Sequence, residues 1–75
     1  MELINFVNDF SSEFVETPKT IFNGETNYKE LPEWDSVLAL SIISMIDDNY
    51  NKRISGAELR ACNTIADLYN VIIKL

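Results

Sequence analysis

The chain contains no histidine, which removes the commonest general base, imidazole metal ligands, and the Ser-His-Asp and Cys-His catalytic arrangements. Gly24 and Gly56 are the only glycines, too few for a glycine-rich phosphate loop. Cys62 is the single cysteine, so the chain cannot form a disulfide framework or a cysteine zinc cluster, and we expect a small buried side chain there. These shortages predict no metal site, no catalytic residues and a protein that is not itself an enzyme.

Positive charge is also scarce. Six basic residues face twelve acidic ones, a net charge of −6 that repels nucleic acid and anionic lipid and favours partners with basic surfaces. No apolar run approaches the roughly 20 residues that span a bilayer, and the N-terminal stretch MELINFVNDF has acidic residues where a signal peptide needs basic ones. We therefore expect a cytoplasmic monomer that binds neither nucleic acid nor membrane.

The chain has enough apolar residues to fold despite its acidity. Hydrophobic residues make up 47% of its 75 positions, so burial can offset the entropy of ordering the backbone. A chain of this length has room for one hydrophobic core. The expectation is a single domain over residues 1–75.

The first helix is predicted from apolar positions at spacings of four, three and four. These positions are Leu3, Val7, Phe10 and Phe14. The helix should end before Pro18. Residues 17–34 then contain both prolines and one glycine, which predicts a long loop, of a length that is often functional. The loop residues expected to pin it to the core are Ile21, Phe22, Tyr28, Leu31 and Trp34.

Three further helices are predicted by their start signals. Asp35 or Ser36 should begin the second, which runs to about Tyr50. Ser55 with Glu58 forms a capping box for a short third helix over residues 56–61, and Thr64 with Asp67 offers a similar start for a fourth. One face of the fourth comprises Ile65, Leu68, Ile72 and Leu75. No stretch alternates like a strand, so the prediction is an all-α, four-helix fold.

The second helix is more apolar than one core-facing stripe requires. With about 100° between successive residues, the predicted stripe comprises Ala39, Ile42, Ile43, Ile46 and Tyr50, with Leu38 and Met45 at one margin. Val37 and Leu40 fall on the other side, near Asp47 and Asp48. A small domain that buries most of this helix would explain the pattern. A docking surface with an apolar centre and an acidic rim would explain it equally.

Residues 47–58, DDNYNKRISGAE, resemble an EF-hand calcium loop. The sixth place of such a loop needs glycine, and Lys52 stands there. No second loop of this kind occurs. The same letters also fit a helix end, a turn and the Ser55–Glu58 cap. The places that do match are occupied by Asp47, Asn49, Asn51, Ile54 and Glu58.

Residues 33–40, EWDSVLAL, resemble acyl and peptidyl carrier proteins, which have a D-S-L or W-D-S-L motif at the start of their second helix. The serine of that motif is modified with 4′-phosphopantetheine. The resemblance covers nearly the whole chain. It includes the stretch TNYKELPEWDS (26–36), the aromatic Tyr50, ISGAE (54–58) and TIADL (64–68).

This resemblance implies a four-helix bundle of acyl-carrier type with 4′-phosphopantetheine on Ser36. Its thiol would carry acyl or aminoacyl groups as thioesters in fatty acid, polyketide or other specialised biosynthesis. The implied partners are a phosphopantetheinyl transferase and acyl-loading and acyl-transferring enzymes with basic docking surfaces. The surface that they would read comprises Asp35, Val37, Leu40, Asp47 and Asp48.

Two departures from the family pattern bear on the cargo. Val37 replaces the usual leucine, and Leu38 and Ser41 stand where many fatty-acid carriers have acids, which favours a dedicated carrier of a specialised pathway. An acyl pocket is predicted between helices two, three and four, lined by Ile46, Ile54, Leu59, Cys62 and Ile65. These residues would be core in any four-helix arrangement. An unmodified interaction module with an acidic docking face and a single calcium-binding loop are the alternative functions.

Overall fold

The computed structural model describes residues 2–75, which form four α-helices with no β-strand among them. Two short 3-10 turns, at Lys19–Ile21 and Tyr28–Glu30, lie between the first and second helices. The helices are α1 (Leu3–Ser12), α2 (Ser36–Tyr50), α3 (Gly56–Ala61) and α4 (Ile65–Ile72). The predicted all-α architecture is confirmed, with its long loop and short third helix. None of the described helices is both long and apolar enough to cross a bilayer.

The helix starts lie where local side-chain chemistry predicts them. Asp35 precedes α2, and its Oδ1 accepts a 2.8 Å hydrogen bond from the Leu38 N–H. Ser55 and Glu58 form a reciprocal capping box at α3, and Thr64 and Asp67 form one at α4. Each cap satisfies backbone donors that a helix start leaves without an intrahelical partner.

The core forms where all four helices and the loop meet. Its fully buried side chains include Phe6, Phe10, Tyr28, Ile42, Ile46, Leu59, Ile65, Leu68 and Ile72. Phe6 was not part of the predicted face of the first helix. Leu75, which was predicted to share one face of the fourth helix with Ile65, Leu68 and Ile72, is exposed because α4 ends at Ile72. That part of the prediction is wrong.

The buried face of α2 is turned relative to the predicted stripe. Leu38 and Met45, expected at its margin, are buried together with Ile42 and Ile46. The residues Ala39, Ile43 and Tyr50 pack against the core but stay partly accessible. Ala39 and Ile43 instead face α3 across a groove that Leu59 and Arg60 also border.

The long loop is held by aromatic packing and hydrogen bonds. Trp34 stacks on Phe10 with ring centroids 6.4 Å apart and tilts against Tyr28 at 4.9 Å. The Ala66 N–H donates a 2.8 Å hydrogen bond to the Gly24 carbonyl, which ties the loop to the start of α4. Of the loop residues expected to contact the core, four do so and Ile21 is exposed. These contacts hold the loop against the core as far as Trp34, two residues before α2 begins at Ser36.

Candidate functional site

Ser36 is the first residue of α2 and is exposed. No group among residues 2–75 is hydrogen-bonded to its hydroxyl, and the neighbouring Asp35 carboxylate accepts from the Leu38 N–H. No base among residues 2–75 is hydrogen-bonded to this hydroxyl, so nothing there activates it as a nucleophile.

Glu33 fixes the turn that leads into Ser36. Its carboxylate accepts hydrogen bonds from the Val15 N–H at 2.8 Å, the Glu16 N–H at 3.1 Å, the Thr17 N–H at 2.9 Å and the Thr17 hydroxyl at 2.7 Å. Burial raises the pKa of Glu33, but the hydrogen bonds from Thr17, Val15 and Glu16 outweigh it and lower the pKa to about 2. The carboxylate therefore stays ionised and ties residues 15–17, which follow α1, to a position three residues before Ser36.

A groove of about 440 Å³ opens beside Ser36, between the start of α2 and α3. Two cationic residues, Lys29 and Arg60, border it together with Asp35 and Ser36. Its apolar wall comprises Trp34, Ala39, Leu40, Ile43 and Leu59. The groove thus combines an exposed hydroxyl, apolar surface and positive charge in a chain of net negative charge.

The residues predicted to line an acyl pocket lie in the core. All five are buried, and Leu59 is the only one of them that borders the groove beside Ser36. They are Ile46, Ile54, Leu59, Cys62 and Ile65. The Cys62 thiol has a raised pKa because of burial and the nearby Asp67 carboxylate, which suits the buried apolar role expected for it. Ala39 and Ile43 line the groove, whereas sequence periodicity assigned them only to the core.

Val37 and Leu40 are exposed, so α2 does not bury all of its apolar residues. Their side chains are 69% and 65% exposed, and they lie side by side on the outer face of α2. A shallow depression of about 410 Å³ borders both residues, and Glu13 and Asp48 lie along it. A second, of about 260 Å³, places Val37 beside Asp35. The apolar centre with an acidic rim is therefore present on α2.

Two contributors to this surface were not found from the sequence. Glu13 borders both depressions, and Val15, 90% exposed, shares the second with Val37. Both residues follow α1, and Glu33 holds Val15 through a hydrogen bond across 18 residues, so no local signal indicated them. Asp47, by contrast, borders neither depression. Its Oδ1 lies 4.0 Å from Nε of the exposed Arg53, in an ion pair at the surface.

Residues 47–58 are arranged as a helix end, a turn and a cap. The first four belong to α2, and the left-handed conformation falls on Asn51 (φ 56°) and not on Lys52, which stands at the glycine place of the calcium pattern. Within residues 2–75, no three acidic, cysteine or histidine side chains group closely enough to hold a metal ion. This geometry gives the calcium interpretation no support.

No protein-family model, curated protein or solved structure matches this chain.

Proposed function

We propose that the protein is a carrier domain of acyl-carrier type, in which Ser36 is modified with 4′-phosphopantetheine. One observation supports this most directly. An exposed serine is the first residue of the 15-residue α2 and stands at the mouth of a groove with apolar walls. The W-D-S motif that suggested the modification therefore coincides with an accessible hydroxyl and adjacent room for a flexible arm.

The residues around Ser36 suit a phosphodiester. The start of a long helix is the positive end of its dipole, which favours an attached anion. Lys29 and Arg60 add positive charge on the groove that Ser36 borders. Asp35 opposes them, but its carboxylate is engaged with the Leu38 N–H. The start of α2, Lys29 and Arg60 can thus stabilise the negative charge that modification would introduce.

Attachment is a phosphoryl-group transfer in which the carrier is the substrate. A bond forms between Ser36 Oγ and the pantetheine-side phosphorus of coenzyme A, and the pyrophosphate P–O bond breaks. An adenosine bisphosphate leaves, and the serine proton passes to a base of the transferase, since this chain provides none. When attached, the arm's terminal thiol holds acyl or aminoacyl groups as thioesters.

The chain itself presents Ser36 in a fixed position and tethers the group that the arm carries. The clamp formed by Glu33 and the cap formed by Asp35 fix the backbone on either side of Trp34, so Ser36 is held in a defined position. Tethering raises the effective concentration of a bound group at each enzyme that the domain visits. The groove wall of Ala39, Ile43 and Leu59 provides apolar surface on which a bound chain can shelter.

Docking of partner enzymes is assigned to the outer face of α2. Val37 and Leu40 supply the apolar contact, and Glu13, Asp35 and Asp48 supply the acidic rim. A partner with a basic surface would be steered there by charge and held by the apolar pair. We assign the carrier to a specialised pathway because Leu38 and Ser41 depart from the fatty-acid carrier pattern. The cytoplasm is the expected location on separate grounds, the composition of the chain.

The test is an intact-mass measurement before and after incubation with coenzyme A, magnesium and a broad-specificity phosphopantetheinyl transferase. We expect a gain of one phosphopantetheine in the native protein and none in Ser36→Ala. Folding of both samples is checked by circular dichroism. A folded native protein that gains no mass would reject the carrier function.

One other function is favoured by a specific observation. The exposure of Val37 and Leu40 beside carboxylates would equally serve an unmodified interaction module that binds a basic partner. The two functions differ in their need for Ser36. Under the module function Ser36→Ala keeps full activity in the cell, and under the carrier function it loses all activity.

A further inference from the structure

The groove beside Ser36 carries positive charge although the chain as a whole is acidic. Two of its six basic residues, Lys29 and Arg60, border that groove. The other four have different surroundings. Lys19 donates to the Ser11 and Phe14 carbonyls, Lys52 donates to the Leu75 carbonyl, Arg53 lies beside Asp47, and Lys74 is exposed.

Arg60 borders this groove. Its guanidinium forms no ion pair and no hydrogen bond with any of residues 2–75. The side chain folds back over the first turn of α3. A Cβ atom at Gly56 would lie 3.2 Å from Arg60 Nη1, a tight contact, so the glycine leaves the space in which the guanidinium lies. The planar guanidinium therefore keeps its N–H donors available on the groove side of α3.

The ammonium group of Lys29 is the second cation on the groove. Its ammonium donates a 2.7 Å hydrogen bond to the Arg60 carbonyl, near the end of α3. An ammonium has three N–H donors, so this bond leaves others free to bind an anion. The hydrogen bond also couples the two cations, because it fixes Lys29 against the residue that bears the guanidinium.

We infer that Lys29 and Arg60 hold the phosphodiester attached to Ser36 and so draw the first part of the arm across the groove towards α3. The inference rests on the proposed function, since it needs the modified serine. Arginine pairs with phosphate through directed, charge-assisted hydrogen bonds. Asp35, the only carboxylate that borders the groove, accepts a hydrogen bond from the Leu38 N–H and forms no ion pair with either cation. The arm is thereby directed along the apolar wall and not into open solvent.

The direct test is the Arg60 Nε–H signal in proton–nitrogen correlation NMR, recorded on the unmodified protein and on protein shown by intact mass to be modified. The chain has two arginines, so Arg53 is an internal control in the same spectrum. We expect the Arg60 signal to move on modification and the Arg53 signal to stay. The movement should shrink near 1 M salt, where charges are screened beyond about 3 Å.

Matched variants test the same contact through the phosphorus NMR signal of the phosphodiester. In the modified protein, Arg60→Gln and Lys29→Gln should each shift the phosphorus NMR signal of the phosphodiester. Lys74→Gln removes the same charge from an exposed site outside the groove and should leave the signal in place. A mass gain with an unmoved Arg60 signal and an unchanged phosphorus signal in both groove variants would overturn the inference alone. Absence of any mass gain would reject it together with the proposed function.

Discussion

The Tyr28 hydroxyl donates a 2.6 Å hydrogen bond to the Leu59 carbonyl, 31 residues further along the chain, and also lies 3.2 Å from the Cys62 carbonyl. This contact joins the loop before α2 to the end of α3, and so it joins the two sides of the groove beside Ser36. Burial raises the pKa of Tyr28, and the charges of Cys62 and Asp67 raise it further, so the hydroxyl remains a donor throughout the ordinary pH range.

Tyr28→Phe should therefore destabilise the protein by about 1–3 kcal/mol, because it leaves buried carbonyls without their donor while it keeps the ring packing. The loss should appear as a lower urea midpoint with an unchanged slope, and as faster amide exchange in α3 than in α1. Equal changes in exchange across all helices would contradict a specific role in holding α3.

Glu33→Gln should remove a pH-dependent part of the stability. The folded-state pKa of Glu33 is about 2, against an ordinary value of 4.5, so its ionised form stabilises the fold above pH 4.5, and that contribution is lost as the pH falls towards 2. The native protein should be the more stable of the two at pH 7, and their difference should shrink between pH 4.5 and 2. Urea unfolding across this range measures it. Glu25→Gln, which removes an exposed carboxylate that accepts no hydrogen bond, is the control and should show no such trend.

Asp35 serves both as the α2 cap and, by our proposal, in docking, and two substitutions separate these roles. Asp35→Ala should cost about 0.5–2 kcal/mol of stability because the Leu38 N–H loses its acceptor. Asp35→Asn keeps an acceptor oxygen and should be near neutral for stability. If the charge steers a basic transferase, Asp35→Asn should still lower the modification rate, and more so at low salt. A rate that follows stability alone would remove Asp35 from the docking surface.

Val37→Ala and Leu40→Ala should each lower the kcat/KM of the transferase for this protein, by roughly fivefold if about 1 kcal/mol of apolar contact is lost. Thermal stability should hardly change, because both side chains are mostly exposed. Ile4→Ala is the matched control, since Ile4 is also 65% exposed but lies on α1 and borders neither depression beside Val37. An equal loss in Ile4→Ala would show that the effect is not specific to the α2 surface.

Calcium should leave the protein unchanged. Residues 47–50 are part of α2, so the side chains of the calcium pattern are not arranged around a common point. Titration to millimolar calcium, followed by Trp34 fluorescence and amide chemical shifts, should show no saturable change. Saturation accompanied by shifts confined to residues 47–58 would restore the calcium-binding function.

Several features of this fold could be predicted because their causes lie within a few residues of one another. The start of α2 follows from Asp35, whose carboxylate needs only the Leu38 N–H three residues away. The starts of α3 and α4 follow from capping boxes of the same reach. Helical periodicity, which is also local, placed Val37 and Leu40 opposite the predicted core-facing stripe but left open whether they are buried.

The sequence by itself thus determined the helix starts, the all-α class, the excess of acidic charge and the serine at the first residue of α2. Tertiary structure alone decided which face of α2 is buried, because Leu38 and Met45 belong to one core cluster with buried residues of α1 and the loop. It also placed Val15 beside Val37 through the Glu33 clamp, and Lys29 beside Arg60 through a hydrogen bond across 31 residues. Contacts between residues so far apart depend on how the whole chain packs, and no local pattern encodes them.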